Sequence, residues 1–296
     1  MTKNILKNDA LLLLTSLIWG FAFVAQRVGM NFIGPYTFNA VRFILGPFSL
    51  LPLICFRWKK IPSENKKVKP YLLNGLLAGS VIFIASTLQQ IGIVYTTAGN
   101  AGFITGFYVV LVPIMGLFLR HKVGLIRWIA ALLALTGLYF LSVSQGFSMG
   151  KGDNLVLFSA VFWALHIIVV GYVSPRLDPL IFSFTQFFIC GILSFIGAFL
   201  FEDPQWHGIV LASGPILYGA FLSVGVAYTL QVIAQKSAPP SHAVIILSME
   251  GAFAALGGVL MLNEVLTARQ LLGCLLMLAG MLLSQLKIRK TVHESG

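Results

Sequence analysis

Charge is scarce in this chain. Only 10% of its 296 residues are charged, and just nine of them are acidic. A soluble domain carries about 25%. The chain is also 58% hydrophobic, with a mean hydropathy of +0.91. No globular interior of this length hides so much apolar side chain, so lipid is the solvent for most of it. Cysteine is nearly missing too. Cys55, Cys190 and Cys274 each lie inside an apolar run without metal-ligand spacing, so they read as small packing or lipid-facing residues with no disulfide. There is no Walker-type Gly-rich loop and no H-E-x-x-H, which argues against ATP drive within the chain and against that zinc chemistry. No cofactor and no metal is expected.

The charge that is present is mostly basic, with a formal net charge of +11. The Lys and Arg sit between apolar runs and form no patch interleaved with aromatics. They read as topology charge, and no nucleic-acid partner is expected.

A membrane helix needs about 20 mainly apolar residues. On that basis the chain reads as an all-α membrane protein with ten transmembrane helices: 10–32, 36–56, 71–96, 98–119, 123–142, 154–173, 180–200, 214–236, 240–262 and 268–288. Lys3 and Lys7 before the first run resemble a signal peptide, but the run resumes after Gln26 and has no small-x-small cleavage site. It reads as an uncleaved first helix. "GPY" at 34–36, "TAGN" at 97–100, "SPRLDP" at 174–179 and "APPS" at 238–241 read as tight turns, which makes consecutive helices antiparallel neighbours. Sixteen loop and tail Lys and Arg fall on one side and two, Lys151 and Arg269, on the other. That asymmetry predicts a multi-pass protein of the cytoplasmic membrane with both termini in the cytoplasm.

The chain repeats itself. Asp9 stands ten residues before Trp19 and Asp153 ten before Trp163, an offset of 144. At the same offset Pro35 meets Pro179, Phe38 meets Phe182, Phe43 meets Phe187 and Gly75 meets Gly219. After short indels "ALTGLYFLS" at 134–142 resembles "MLAGMLLSQ" at 277–285. The division is a first five-helix repeat at 1–142, a linker at 143–152, and a second repeat with its tail at 153–296. Five is odd, so the copies enter the membrane from opposite faces. Two inverted five-helix repeats are the arrangement expected for alternating access.

Polar residues inside the apolar runs are the candidate site. Glu250 lies about ten residues into helix 9, roughly 15 Å deep at the helical rise. A charge near the midplane costs at least about 2.5 kcal/mol, so the side chain must face the bundle interior. It is either a protonatable group beside the substrate path or a packing element bonded to a neighbouring helix. Tyr228, Gln231 and Gln235 are spaced i, i+3, i+7 on one face of helix 8, and Gln89 and Gln90 lie in helix 3, its repeat partner. They read as cavity lining or as interhelical hydrogen bonds. Arg42, in "FNAVRFILG", suits a carboxylate or phosphate on a substrate, or else pairs with an internal acid or snorkels outward. Arg27 reads as an interface anchor. Trp19 and Trp163 occupy matching positions, with His166 one turn on, and either stack a planar substrate or pack. Tyr108, in helix 4, is placed with the substrate-lining set. Gly75 and Gly79, and Gly102 and Gly106, have the spacing of close helix packing.

Two stretches carry a family resemblance. "YTTAGNAGFITGFYVVLVPIMGLFL" at 95–119 and "ILSMEGAFAALGGVLMLNEVLTARQLLGCLLMLAGMLL" at 246–283 resemble helix 4 and helices 9 and 10 of the drug/metabolite transporter superfamily, EamA branch. The resemblance covers essentially the whole chain as two EamA-like copies. One departure is Met249-Glu250-Gly251, where the family commonly reads Leu-Glu-Pro; the proline that kinks helix 9 is missing. The resemblance implies a secondary transporter of a small organic metabolite, such as export of an amino acid or related compound. Its partners are then the small-molecule substrate and the lipid bilayer. A polytopic enzyme acting on a lipid or small molecule is the rival class, but it needs a cluster of acids, histidines or cysteines near one interface, and this chain shows a single clear mid-membrane acid. An uncoupled facilitator of the same fold is the third reading.

Overall fold

The structure is a computed structural model that describes residues 2–58, 67–96, 98–119, 123–142, 150–262 and 267–291. The basic stretches at 59–66 and 120–122, and most of the expected linker at 143–152, lie outside the described residues. Every regular element described is helical.

In chain order they are α1 (Thr2–Gly29), α2 (Pro35–Phe48), α3 (Leu51–Arg57), α4 (Val68–Tyr95), α5 (Ala98–Thr105), α6 (Tyr108–Phe118), α7 (Leu125–Ser142), α8 (Lys151–Val173) and α9 (Pro179–Phe201). Then follow α10 (Trp206–Leu211), α11 (Ser213–Leu217), a π-helical stretch (Tyr218–Tyr228), α12 (Thr229–Gln235), α13 (Pro240–Leu247), α14 (Glu250–Leu262) and α15 (Ala268–Thr291). Eight spans among the described residues are long and apolar enough to cross a bilayer, and two shorter apolar helices, Leu125–Phe140 and Ala268–Ser284, accompany them. The chain is an all-α polytopic membrane protein. Its apolar side chains face outward as well as inward: Leu72, Leu73 and Leu76 of α4 and Phe195 and Phe199 of α9 are exposed. Such a surface is stable against hydrocarbon and costly against water.

Helix starts follow local chemistry. Pro35 and Pro179 open α2 and α9, where a missing N–H costs nothing. Asp178 caps α9 by accepting from Leu180 N at 3.0 Å. Glu202, just past the end of α9, reaches across to cap α2, accepting from the backbone N–H of Tyr36 and of Thr37 at 2.8 Å each. A carboxylate is favoured at a helix N-terminus, so this bond ties the two helices at that end.

Packing brings the polar inner faces together. α4 lies against α8 and α9, α2 against α9 and the π-helical stretch, and α1 against α14, α12 and the π-helical stretch. α5 and α6 lie against α8, and α7 pairs with α15. Gly75 and Gly79 permit the contact of α4 with α9: a Cβ on Gly79 falls 2.6 Å from Gln186 O, and one on Gly75 falls 2.5 Å from Thr185 Cγ2. The second glycine pair divides. A Cβ on Gly106 meets Leu138 at 2.6 Å, whereas one on Gly102 has no neighbour nearer than 3.8 Å.

Helices 4 and 9 of the sequence reading each restart midway. In helix 9 the turn is Ser248–Met249, with Met249 N bonded to Ile246 O at 3.1 Å and Gly251 N to Ser248 O at 3.2 Å. In helix 4 it is Gly106–Phe107, with Phe107 N bonded to Ile104 O at 3.1 Å and Val109 N to Gly106 O at 3.0 Å. These i→i+3 bonds tighten the backbone for one turn. Helix 9 is thus interrupted just before Glu250 without the family's proline. Ser248 Oγ donates to Ile245 O at 2.8 Å, a local bond that competes with regular helix pairing.

Candidate functional site

The inner faces enclose a small cavity of about 30 Å³. That is room for roughly two waters. All the expected site residues except Gln90 and Gln235 line it. α1 contributes Trp19, α2 Arg42, α4 Gln89, and α8 Trp163 and His166. The two restarted helices contribute their first residues, Tyr108 of α6 and Glu250 of α14. Tyr228 closes the π-helical stretch and Gln231 lies one turn on in α12.

Tyr228 is the aromatic hub. Its ring stacks on Trp163, with centroids 6.0 Å apart and planes at 21°, and lies 4.5 Å from Trp19. His166 meets it edge-on at 6.3 Å. The repeat-related tryptophans therefore converge on one side chain from α1 and α8. Trp163 Nε1 donates to Gln89 Oε1, so that indole is held by α4.

Glu250 is 3% exposed and accepts from Tyr108 Oη at 2.6 Å. The two restarts thus meet at a hydrogen bond. As the first residue of α14, Glu250 also stands where the helix dipole favours negative charge. Gly20 of α1 lets that helix reach the same spot, since a Cβ there falls 2.8 Å from Glu250 O.

Arg42 is 2% exposed and has no carboxylate within ion-pair distance among the described residues. Its Nε donates to Asn39 Oδ1 at 3.0 Å. Its guanidinium carbon lies 4.8 Å from the Phe43 ring centre and 5.3 Å from that of Phe38. A charge at mid-membrane costs about 2.5–3.5 kcal/mol on insertion scales. Desolvated cation–π contacts return about 2 kcal/mol apiece. The cation is tolerated, with most of its fork of donors still available to an anion.

Unpaired polar atoms gather at this cavity. Trp19 Nε1, Gln26 Oε1, Thr105 Oγ1, His166 Nδ1 and Gln231 Oε1 are buried without a hydrogen-bond partner, and all five residues line it. Buried polar atoms are normally paired, so a cluster of orphans marks a place where water or a ligand completes the set. The other expected residues serve the frame. Gln235 Oε1 accepts from Gln231 and its Nε2 donates to Ile167 O, while Gln90 Nε2 reaches Gln26 O at 3.4 Å. Arg27 donates to Ile93 O and Val94 O near the end of α4.

Gln26, Thr105, Ser223 and Gln186 were not singled out as site residues from the sequence. The first three line the cavity, and Gln186 Oε1 lies 3.0 Å from His166 Nε2. Gln26 and Gln186 carried a signal: the first interrupts an apolar run, and the second stands at the repeat position of Arg42. Buried acids were also missed. Asp9 is 7% exposed and bonded to His242, and Asp153 is 7% exposed and accepts from Thr96 Oγ1 at 2.6 Å. Their equivalence in the repeat was the available sign.

The model of one family, the EamA-like transporter family, matches this chain twice, over residues 6–143 and 150–286. An "uncharacterized transporter" of Archaeoglobus fulgidus is 34% identical over 95% of this chain and 86% of its own length. The threonine/homoserine exporter RhtA of Salmonella typhimurium is 31% identical over 56% of each chain. A solved crystal structure, 17% identical, superposes with a TM-score of 0.73 over 96% of this chain and 98% of that one, a likeness of fold.

Proposed function

This chain belongs to the EamA-like transporter family, and we propose that it works as a ten-helix secondary transporter built from two inverted five-helix repeats. It is a membrane-embedded small-molecule transporter, not an enzyme. The packing supports the repeat reading. Exchanging the halves turns the contact of α4 with α8 into that of the π-helical stretch and α12 with α1. It turns the contact of α8 with α5 and α6 into that of α1 with α13 and α14, and maps the α7–α15 pair onto itself. Helix 4 of the first half and helix 9 of the second are interrupted at equivalent places, and the two interruptions meet beside the cavity. Discontinuous helices meeting at mid-membrane are a recurring way to build a transport site.

The observation that carries the substrate reading is the buried Arg42 with no counter-ion among the described residues, in a cavity whose lining holds five unpaired polar atoms. In this reading Arg42 takes a carboxylate or phosphate, and Trp19, Trp163 and Tyr228 hold the apolar or planar body. Gln89, Gln231 and His166 read the remaining polar groups, and Glu250 carries the proton that couples transport. Gln90 and Gln235 position Gln26 and Gln231 rather than touching the substrate. Movement is by alternating access, in the direction of export, with an amino acid or related compound as cargo. A cavity with room for roughly two waters holds no such molecule, so this site widens to take the substrate. Purified protein in liposomes tests this by counterflow of radiolabelled amino acids, sugars, nucleotides and organic cations. Accumulation of one class that contains an anionic group, driven further by a pH gradient, is expected. Transport restricted to organic cations would overturn the role given to Arg42.

A further inference from the structure

The central cavity leaves a second buried group of titratable side chains unexplained. Asp9 Oδ1 of α1 lies 2.8 Å from His242 Nε2 of α13, and His242 Nδ1 lies 3.5 Å from Ser284 Oγ of α15. His242 is 1% exposed, Asp9 7% and Ser284 0%. This is the one ion pair found among the described residues, and it exists as an ion pair only when the imidazole holds a proton. Asp9 stands ten residues before Trp19, and His242 eight before Glu250. At the helical rise the pair is therefore roughly 12–15 Å from the cavity, toward the end of the bundle where α1 begins. It joins three helices from both halves of the chain.

The geometry points to a second proton-binding site, distinct from Glu250, in which one proton held between Asp9 and His242 latches the N-terminal end of the transport path shut. This inference rests on the transport reading. Opening at that end by parting α1 from α13 breaks the bond between Asp9 and His242. With the proton in place, parting separates an imidazolium from a carboxylate in a dry interior, which is strongly disfavoured. With the proton lost to water at that end, a neutral imidazole still donates to Asp9, but the buried carboxylate has no counter-charge among the described residues. Its hydration then favours the parted arrangement. Proton loss therefore releases the latch, and proton uptake sets it.

Among the described side chains no other supplies this charge. Of the elements packed against α13, α7 presents Arg127, whose Nη1 donates to the neighbouring Ser241 Oγ at 3.3 Å. α6 presents Tyr108, bonded to Glu250, and α8 presents His166, bonded to Gln186. On α1 itself Lys7 is exposed, and among the described side chains of α15 the charged one is Arg269, at the far end of that helix. The opposite end of the molecule is built differently. There the repeat-related Asp153 is bonded to Thr96 and to the backbone N–H of Gly150, which do not titrate at ordinary pH. The two ends are thus unequal in a way that makes one of them answer to pH.

The test is a distance. Spin labels at Leu6→Cys on α1 and Ser237→Cys before α13, both exposed positions, report the gap in purified full-length protein lacking Cys55, Cys190 and Cys274. A short distance is expected at pH 6, with a longer population growing several-fold by pH 8.5. Asp9→Asn and His242→Gln should each abolish that pH dependence, whereas Glu250→Gln should keep it. A parent whose distance does not change with pH overturns the latch without any variant. So does a pH dependence that survives in either folded latch variant or disappears in Glu250→Gln. The distances need no substrate, so a parent that transports none of the tested compounds sinks the transport reading and leaves the latch result standing.

Discussion

Tyr108 Oη donates to Glu250 Oε1 at 2.6 Å, and each of these residues is the first of a helix that restarts after an interrupting turn. The bond crosses from one half of the chain to the other and is fully buried. It therefore reports both on folding and on whatever moves the halves apart.

Removing the donor separates these roles. Tyr108→Phe leaves the ring in place and strips Glu250 of its partner. Interhelical hydrogen bonds in membranes are worth about 0.6–2 kcal/mol. A measurable fall in the thermal midpoint of the detergent-purified protein is expected. An unchanged midpoint would mean that the contact contributes no net stability.

Glu250→Gln keeps shape and hydrogen bonding but removes titration. In liposomes the variant should exchange substrate across equal gradients and lose accumulation driven by a pH gradient. Retained pH-driven accumulation in a well-folded variant would leave Glu250 as a packing element.

Arg42 offers a planar fork of donors that lysine does not reproduce. Arg42→Lys should keep the positive charge yet weaken substrate binding at least tenfold, read as loss of the ligand-induced thermal shift. Arg42→Gln should weaken it further. Parent-like affinity in the lysine variant would show that a point charge, not bidentate recognition, is what the substrate needs.

Gln231 and Gln235 lie four residues apart, yet only Gln231 lines the cavity. In the background without native cysteines, Gln231→Cys should react with small water-soluble thiol reagents and be protected by substrate. Gln235→Cys should react much more slowly. Equal reactivity would place both on the water path.

The topology is open to a direct check. With both termini in the cytoplasm, alkaline phosphatase fused at the C-terminus should be inactive and a fusion after Glu202 active. The reverse pattern would invert the orientation and place the latch on the outer side.

The sequence by itself determined the solvent and the class. Scarcity of charge forces the chain into lipid, and in lipid each segment must pair its own backbone, so apolar runs become helices. The same energetics explain why isolated polar residues in those runs, such as Glu250, Gln89 and Gln231, turned out to line one buried cavity: outward-facing positions would meet hydrocarbon. What the sequence left open depends on distances between segments far apart in the chain. Arg42 was equally consistent with an internal acid partner, and only the packing shows it on phenyl rings with no such partner among the described residues. Gln235 shares a helix face with Gln231, but the depth at which α12 meets α8 turns it toward Ile167 O. Helix 9 read as continuous because no proline interrupts it, while Ser248 at the interruption bonds its own backbone. Nothing local in the sequence pairs His242 with an acid; folding carries it across more than two hundred residues of chain to Asp9. Hydrophobic pattern is local and fixes which residues face inward, but which of them touch is decided by how close two helix backbones can come.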